Sequence, residues 1–163
     1  MFTTKNPANV VVCAGAGAGK THALVYHYLL AALGLETTQS EPVAPNRIVA
    51  VTFTENAACE MRERIACTIM DCIQKRCDNP LQQQLVGRAR QLHVAMPEPD
   101  TLQTLWEGVQ QAPICTFHSL CASLLRRHGE SVGVQPHFTL LDELQQQQLL
   151  QQCCMDVVLP ALQ

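Results

Sequence analysis

The segment Ala14 to Thr21, AGAGAGKT, limits the fold of this chain more sharply than any other stretch. It follows the apolar run Val10 to Cys13, which predicts a strand, and its Gly-Lys-Thr ending opens a helical pattern. Glycine backbone can turn tightly, so that consecutive N–H groups point at one anion beside the N-terminus of the following helix. The sequence therefore predicts a strand, a phosphate-binding loop and a helix in succession.

Each part of this loop has an expected contact. We expect the backbone to surround the phosphates, Lys20 to reach the β- and γ-phosphates, and the Thr21 hydroxyl to bind Mg²⁺, which prefers hard oxygen ligands. Lys20 and Thr21 are accordingly the predicted catalytic residues. The predicted nucleotide-binding residues are Ala14, Gly15, Ala16, Gly17, Ala18, Gly19, Lys20 and Thr21.

Composition indicates a globular chain of one domain's size. The 163 residues are 47% hydrophobic, which is enough to fill a core. Neither an N-terminal apolar signal region nor a run of membrane-spanning length occurs, so we expect a cytoplasmic protein with no membrane partner. A net charge of −3 excludes a uniformly basic surface but leaves room for a local basic groove that binds nucleic acid.

Nine cysteines occur, an odd number without a CxxC pair. This usage is atypical of a disulfide framework, and we expect most of them to be buried thiols. Cys67, Cys72 and Cys77 recur every five residues, a spacing that scatters them around a helix and disfavours a metal site.

Strand and helix patterns alternate along the chain, which favours an α/β fold with a parallel sheet flanked by helices. Ligands of such sheets bind at the carboxyl ends of the strands. Residues 79–112, rich in proline and glutamine, are expected to form a helical insertion. The other predicted elements are a helix from Lys20 to Leu33, a buried strand from Arg47 to Thr54, a helix from Glu55, a strand from Ile114 to Phe117 and a helix from His118 to His128.

The segment Asp142 to Val158 predicts a glutamine-rich helix with a solvated face at Gln145 to Gln148. Two interpretations are open for Asp142 and Glu143. The preceding FTLL gives them the form of a Walker B strand, whereas a position just before a helix makes Asp142 an N-cap, which we favour.

Three segments together resemble the UvrD/Rep-like superfamily 1 DNA helicases, and more narrowly their RecB/AddA branch. The first is AGAGAGKT, in which Ala14 stands at a position where these helicases commonly carry alanine. The second, AVTFTENAACEMRERI from Ala50 to Ile65, resembles motif Ia, TFTNKAAxEMKERI. The third, CTFHSLCASLLRRHG from Cys115 to Gly129, resembles motif Ib.

The resemblance implies that the second and third segments follow a single-stranded DNA track. Hydroxyls and helix N-termini bind phosphate oxygens, and aromatic rings stack on bases. The alternative of packing at strand ends is equally open for the hydroxyls, and for Phe53 and Phe117 we expect burial. Glu55 and Asn56 replace the usual Asn-Lys, which predicts weaker DNA binding. The implied DNA contacts are Thr52, Phe53, Thr54, Arg64, Thr116, Phe117, His118 and Ser119.

The resemblance also implies a fold and an activity. It predicts a RecA-like P-loop NTPase domain, 1A, in residues 1–130 with the insertion at about 79–112, and the start of helical domain 1B in residues 131–163. The implied activity is that of an ATP-dependent helicase or translocase moving 3′ to 5′ in recombination and double-strand-break repair. The expected cofactors are ATP and Mg²⁺, and the expected partners are single-stranded DNA and a second helicase-nuclease subunit.

The chain alone is expected to bind ATP-Mg²⁺ and hydrolyse it barely, because a second RecA-like domain and an arginine finger are not in it. We therefore interpret it as an N-terminal fragment. Two other classes remain open. A small P-loop kinase or other NTPase would need an acidic metal ligand, for which Asp142 or Asp156 is available, and a non-catalytic nucleotide-binding module would need no DNA contact.

Overall fold

The structure, a computed structural model, describes residues 19–76 and 78–161. Within them it is α/β, with a small parallel sheet and several helices. The elements are α1 Lys20–Leu33, a 3₁₀ turn Pro45–Arg47, β1 Ala50–Thr52, α2 Glu55–Ile73, α3 Pro80–Leu92, α4 Pro99–Gln110, β2 Ile114–Thr116, α5 Phe117–His128, a 3₁₀ turn Gly129–Val132 and α6 Glu143–Ala161. The predicted strand Val10 to Cys13 and the loop residues Ala14 to Ala18 lie outside the described residues.

The sheet pairs β1 with β2 in parallel, as predicted. Ala50 lies opposite Ile114, Val51 opposite Cys115 and Thr52 opposite Thr116. The two strands are far apart in sequence, and the helices α2, α3 and α4 form the connection between them. Parallel strands need a long crossover of this kind, and it brings both carboxyl ends to the same edge of the sheet.

Helix α2 lies at the centre of the fold. Its predicted apolar face is confirmed, because Met61, Ile65 and Ile69 are buried at helical spacing. The helix begins after Thr54, whose side-chain oxygen accepts a hydrogen bond from the backbone N–H of Ala57. These residues join one hydrophobic core to which α1, α3, α4 and β2 also contribute.

Helix α1 has the predicted bounds, and Gly34 caps its C-terminus in the left-handed conformation with φ 68°. Its buried face includes Val25, Leu29 and Leu33. Leu24, which the sequence places on the buried face with Tyr28 and Ala32, is instead 53% exposed. The core therefore meets a face rotated away from Leu24.

Residues 79–112 form α3 and α4, and both helices bury apolar side chains in the shared core. Asn79 caps α3 by accepting the backbone N–H of Leu81 at 2.9 Å. Leu85 is fully buried on α3, and Leu102 and Val109 are buried on α4. The segment is thus part of the core of its unit.

The buried strand predicted from Arg47 to Thr54 is wrong in extent and in burial. Pro45–Arg47 forms a 3₁₀ turn, because proline fixes φ at a value suited to the start of a turn. The strand is confined to Ala50–Thr52, and Val51 is 41% exposed. Within the described part of the chain β1 pairs only with β2, so its other side is not covered by strand pairing.

The chain divides into two compact units, residues 1–120 and 121–163. In the second, Asp142 Oδ1 accepts the Gln145 N–H at 2.8 Å, and Gln145 Oε1 accepts the Asp142 N–H at 3.1 Å. This reciprocal capping starts α6 and confirms the N-cap interpretation, so the Walker B interpretation is wrong. The domain boundary after residue 130 stays a prediction.

The expectation of buried cysteines is wrong for most of the described ones. Cys72 is buried, whereas Cys59, Cys67, Cys153 and Cys154 are exposed. Helical spacing places Cys67 off the apolar face of α2, and the described side chains of α6 lie on the surface of their unit. Burial raises the pKa of the Cys72 thiol to about 11. Over the described ranges, no helix is both long enough and apolar enough to cross a bilayer.

Candidate functional site

Two strand-to-helix junctions lie side by side at one edge of the sheet. β1 ends at Thr52 and β2 ends at Thr116, and these two residues are register partners. Each is followed by a phenylalanine and then by the first turn of a helix. We call residues 52–55 and 116–119 the carboxyl edge. It brings together all of the predicted DNA contacts except Arg64.

At the first junction the hydroxyls stabilise their own turn. Thr52 Oγ1 donates to the Thr54 carbonyl at 3.0 Å, and Thr54 Oγ1 accepts the Ala57 N–H at 3.2 Å. Thr54 is exposed, and its oxygen satisfies one of the N–H groups that a helix leaves unpaired at its start. Both hydroxyls therefore have a local structural role.

At the second junction the hydroxyls reach across to the other helix. Thr116 Oγ1 and Ser119 Oγ each donate to Glu55 Oε1 at 2.9 Å. The Ser119 N–H donates to Thr116 Oγ1 at 3.2 Å, which fixes the first turn of α5. The hydrogen bonds from Ser119 and then Thr116 lower the pKa of the Glu55 carboxyl below its ordinary value of 4.5. Glu55 thus stays ionised near neutral pH.

The expectation that Phe53 and Phe117 are buried is wrong. Phe53 is fully exposed, at 101%, and Phe117 is 64% exposed. Both occupy positions where the backbone leaves a strand and enters a helix, so neither side chain lies on the sheet face that meets the core. The Phe117 ring meets the exposed His118 ring edge-on, with centroids 6.4 Å apart. Two aromatic surfaces are therefore available at the carboxyl edge.

Arg64 lies elsewhere. At about 1.5 Å per residue it is roughly 13 Å beyond Glu55 along α2. Its guanidinium forms an ion pair with Glu60, one helical turn away. It lines a separate cleft together with His22, Asn79 and Pro80. The structure therefore does not bring Arg64 to the carboxyl edge.

Arg62 is a supporting residue that the sequence analysis missed. Its Nη2 donates to the Ile114 carbonyl at 2.7 Å, which ties α2 to the start of β2. Among the described residues, Arg62 Nε and the Tyr28 hydroxyl are buried without a hydrogen-bond partner. Burial raises the pKa of Tyr28 to about 12 against a smaller opposing effect of the Arg62 charge. The pattern of the sequence placed Arg62 off the apolar face but gave no sign of this contact.

The described end of the phosphate loop is compatible with a bound phosphate. Gly19 adopts the left-handed conformation with φ 78°, and α1 begins directly at Lys20. Lys20 is exposed and Thr21 is half-buried. Gly19 has no side chain with which to cap the helix, and no acidic residue occupies the first turn. The positive end of α1 and the Lys20 charge therefore suit an anion.

These features define an α/β protein with a glycine-led helix start and with polar and aromatic residues at the carboxyl ends of parallel strands. Residues 3–161 match the UvrD/REP helicase N-terminal domain. The chain belongs to this family, which confirms the resemblance found in the three motifs.

Named relatives agree with this assignment. The chain is 36% identical over 142 residues to an AddA-type ATP-dependent helicase/nuclease subunit from Desulforamulus reducens, a match that covers 87% of this chain and 10% of the relative. It is 32% identical over 155 residues to the ATP-dependent DNA helicase PcrA from Leuconostoc citreum, covering 95% of this chain and 15% of the relative. The PcrA of Staphylococcus aureus is 30% identical over 150 residues. The chain thus spans a small part of these relatives.

Proposed function

We propose that this chain is the nucleotide-binding N-terminal part of an ATP-dependent DNA helicase or translocase. The family match over residues 3–161 and the printed names of the relatives support this activity. In the proposal, residues 1–130 form a RecA-like P-loop domain and residues 131–163 begin the helical domain 1B. The parallel pairing of β1 with β2 through a helical crossover is compatible with such a domain.

The nucleotide side of the proposal uses the loop Ala14 to Thr21. Lys20 would hold the β- and γ-phosphates with its ammonium group, and the Thr21 hydroxyl would ligate Mg²⁺ at the start of α1. Bound Mg²⁺ would neutralise phosphate charge as it develops during phosphoryl transfer. The left-handed Gly19 supports this assignment, because the backbone there can enter the helix without a side chain in the path of a phosphate.

The DNA side of the proposal uses the carboxyl edge, and one observation carries it. Two exposed phenylalanines stand at the ends of adjacent parallel strands, each next to a helix N-terminus. Exposed aromatic rings provide stacking surfaces for bases, and helix N-termini attract phosphates. Phe53, Phe117 and His118 are therefore the proposed base and backbone contacts, whereas Thr54, Thr116 and Ser119 act by shaping the edge.

The structure weakens the alternative of a small kinase. Asp142, one of the two acidic ligands available to such an enzyme, accepts a backbone N–H as the cap of α6. Asp156, the other, is exposed on the same helix, in the second unit of the chain. A non-catalytic nucleotide-binding module remains an outcome that the following experiment can reveal.

The test is ATP hydrolysis by the complete protein that carries this sequence, measured with and without single-stranded oligothymidylate. We expect DNA to stimulate hydrolysis, Lys20→Ala to abolish it, and the matched control Lys75→Gln to leave it unchanged. ATP binding without DNA-dependent hydrolysis would support the module. Hydrolysis that responds to a small-molecule acceptor and ignores DNA would support a kinase.

We also propose 3′-to-5′ movement, a role in double-strand-break repair and partnership with a second helicase-nuclease subunit. These follow from the similarity to the AddA-type helicase/nuclease of Desulforamulus reducens. Duplexes with a single-stranded tail at either the 3′ or the 5′ end test the direction. Preferential unwinding of the 3′-tailed duplex is expected, and preferential unwinding of the 5′-tailed duplex would contradict it.

A further inference from the structure

We propose that Glu55 is a positioning residue that couples the two junctions of the carboxyl edge and so sets the affinity for single-stranded DNA. The DNA readout rests on the proposed function. The coupling itself rests on contacts within the first compact unit. Neither the family match nor the relatives' names assign a role to this side chain.

The geometry of the contact is specific. Glu55 is the first residue of α2, directly after the first junction. A single oxygen, Oε1, accepts the hydroxyls of Thr116 at the end of β2 and of Ser119 in the first turn of α5. These residues are 61 and 64 positions away in sequence. One side chain therefore connects the start of α2 with both the strand and the helix of the second junction.

The contact also fixes the local backbone. Thr116 is buried, and its Oγ1 accepts the Ser119 N–H while it donates to Glu55. Phe117 and His118 lie between these two anchored residues, so their backbone is held at both sides. Positioning of Phe117 and His118 relative to Phe53 thus depends on the Glu55 oxygen.

The carboxylate has a second, opposing effect. It places a negative charge at the edge where we propose that phosphates bind, and like charges repel. The net effect of Glu55 is therefore the difference between ordering the edge and repelling the ligand. Variants that separate the hydrogen bonds from the charge can measure each effect.

Two substitutions remove the charge equally but differ in hydrogen bonding. Glu55→Gln retains an oxygen that can accept both hydroxyls, whereas Glu55→Ala retains none. We measure binding of fluorescent oligothymidylate to the complete protein by anisotropy. The Gln variant is expected to bind as tightly as the wild type or more tightly. The Ala variant is expected to bind about three- to tenfold more weakly than the Gln variant, as the loss of a hydrogen bond predicts.

Equal affinities for the Gln and Ala variants would overturn the proposal. The matched control is Glu63, which is exposed on α2 away from the carboxyl edge. Glu63→Gln and Glu63→Ala should bind DNA alike. ATP affinity should be the same in all variants, since a general loss of structure would lower both affinities.

A third variant covers the case in which Glu55→Ala does not fold. Glu55→Asp keeps the charge but withdraws the oxygen from Thr116 and Ser119. It is expected to bind DNA about three- to tenfold more weakly than the wild type. Affinity equal to that of the wild type would contradict the positioning role.

Amide hydrogen exchange keeps this proposal separate from the proposed function. The Ser119 N–H should exchange faster in Glu55→Asp and Glu55→Ala than in Glu55→Gln, whether or not DNA binds. A wild-type protein that shows this exchange pattern but does not bind DNA would contradict the proposed function alone. Unchanged exchange would contradict the coupling.

Discussion

The two junctions of the carboxyl edge share the dipeptide Thr-Phe and occupy equivalent register positions, yet they are stabilised differently. The first is self-contained, because Thr52 and Thr54 bond within their own turn and helix start. The second depends on another helix, because Thr116 and Ser119 donate to Glu55. Equal sequence at equal sheet positions thus leads to one autonomous and one dependent junction.

The difference extends to the aromatic rings. Phe53, at the autonomous junction, is fully exposed, whereas Phe117, at the dependent junction, is 64% exposed and contacts His118. A fully exposed ring offers its whole face to a base. We therefore expect the first junction to contribute more to DNA binding and the second to be more sensitive to changes in its neighbours.

The largest effect is expected at the support of the second junction. Arg62→Met removes the donor to the Ile114 carbonyl and should lower the free energy of unfolding by about 1.5–3 kcal/mol, the usual worth of a hydrogen bond from a charged group. Chemical denaturation measures it. Arg64→Met, at an exposed ion pair, should cost below about 1 kcal/mol. Equal costs would contradict the dependence of β2 on Arg62.

The next effect concerns the rings. Phe53→Ala should weaken the binding of oligothymidylate by about 1–3 kcal/mol, the range for loss of one stacking platform, with little change in stability. Phe117→Ala should weaken it less, and Phe53→Trp should retain binding. Anisotropy titrations compare the three. A larger loss for Phe117→Ala than for Phe53→Ala would reverse the comparison between the junctions.

A smaller effect is expected at the cap of the first junction. Thr54→Ala removes the oxygen that accepts the Ala57 N–H and should destabilise the protein by about 1 kcal/mol. Thr54→Ser keeps that oxygen and serves as the control in thermal unfolding. If the junction is autonomous, exchange at Ser119 is unchanged in Thr54→Ala. Faster exchange at Ser119 would show that the two junctions are coupled through Thr54 as well.

The smallest effect is a dependence on pH. The pKa of Glu55 is lower in the folded protein than its ordinary value of 4.5, so its contribution to stability is present above that value. The contribution is lost as the pH falls through the lower folded pKa. Glu55→Gln should therefore show a shallower loss of stability on acidification, measured by urea unfolding between about pH 3 and pH 6. Parallel curves for both proteins would contradict the lowered pKa.

The sequence was sufficient for the elements with a strong period or clear end signals. Helix α2 follows from Met61, Ile65 and Ile69 at helical spacing, and the end of α1 follows from Gly34. Helix α3 was expected only as part of a helical insertion. Its signals were present, since Asn79 and Pro80 start it and Leu81, Leu85 and Ala89 recur every four residues, but intervening glutamines obscured the period.

The site was only partly predictable from the sequence. The motifs placed the Thr-Phe segments at strand ends, which the parallel register brings together. The exposure of the two phenylalanines could not be predicted, because it depends on which side chains the tertiary fold leaves uncovered. Glu55 was noted for its charge, but its two hydrogen bonds join residues more than 60 positions apart, and local patterns carry no information on such contacts.

Hydrogen exchange of the complete protein, measured with and without oligothymidylate, tests the central claim that the carboxyl edge binds single-stranded DNA. We predict slower exchange of backbone amides in residues 52–57 and 116–121 when DNA is bound, with the stronger protection at the first junction. Protection confined to other surfaces, such as the cleft around Arg64, with unchanged exchange at both junctions, would contradict the claim.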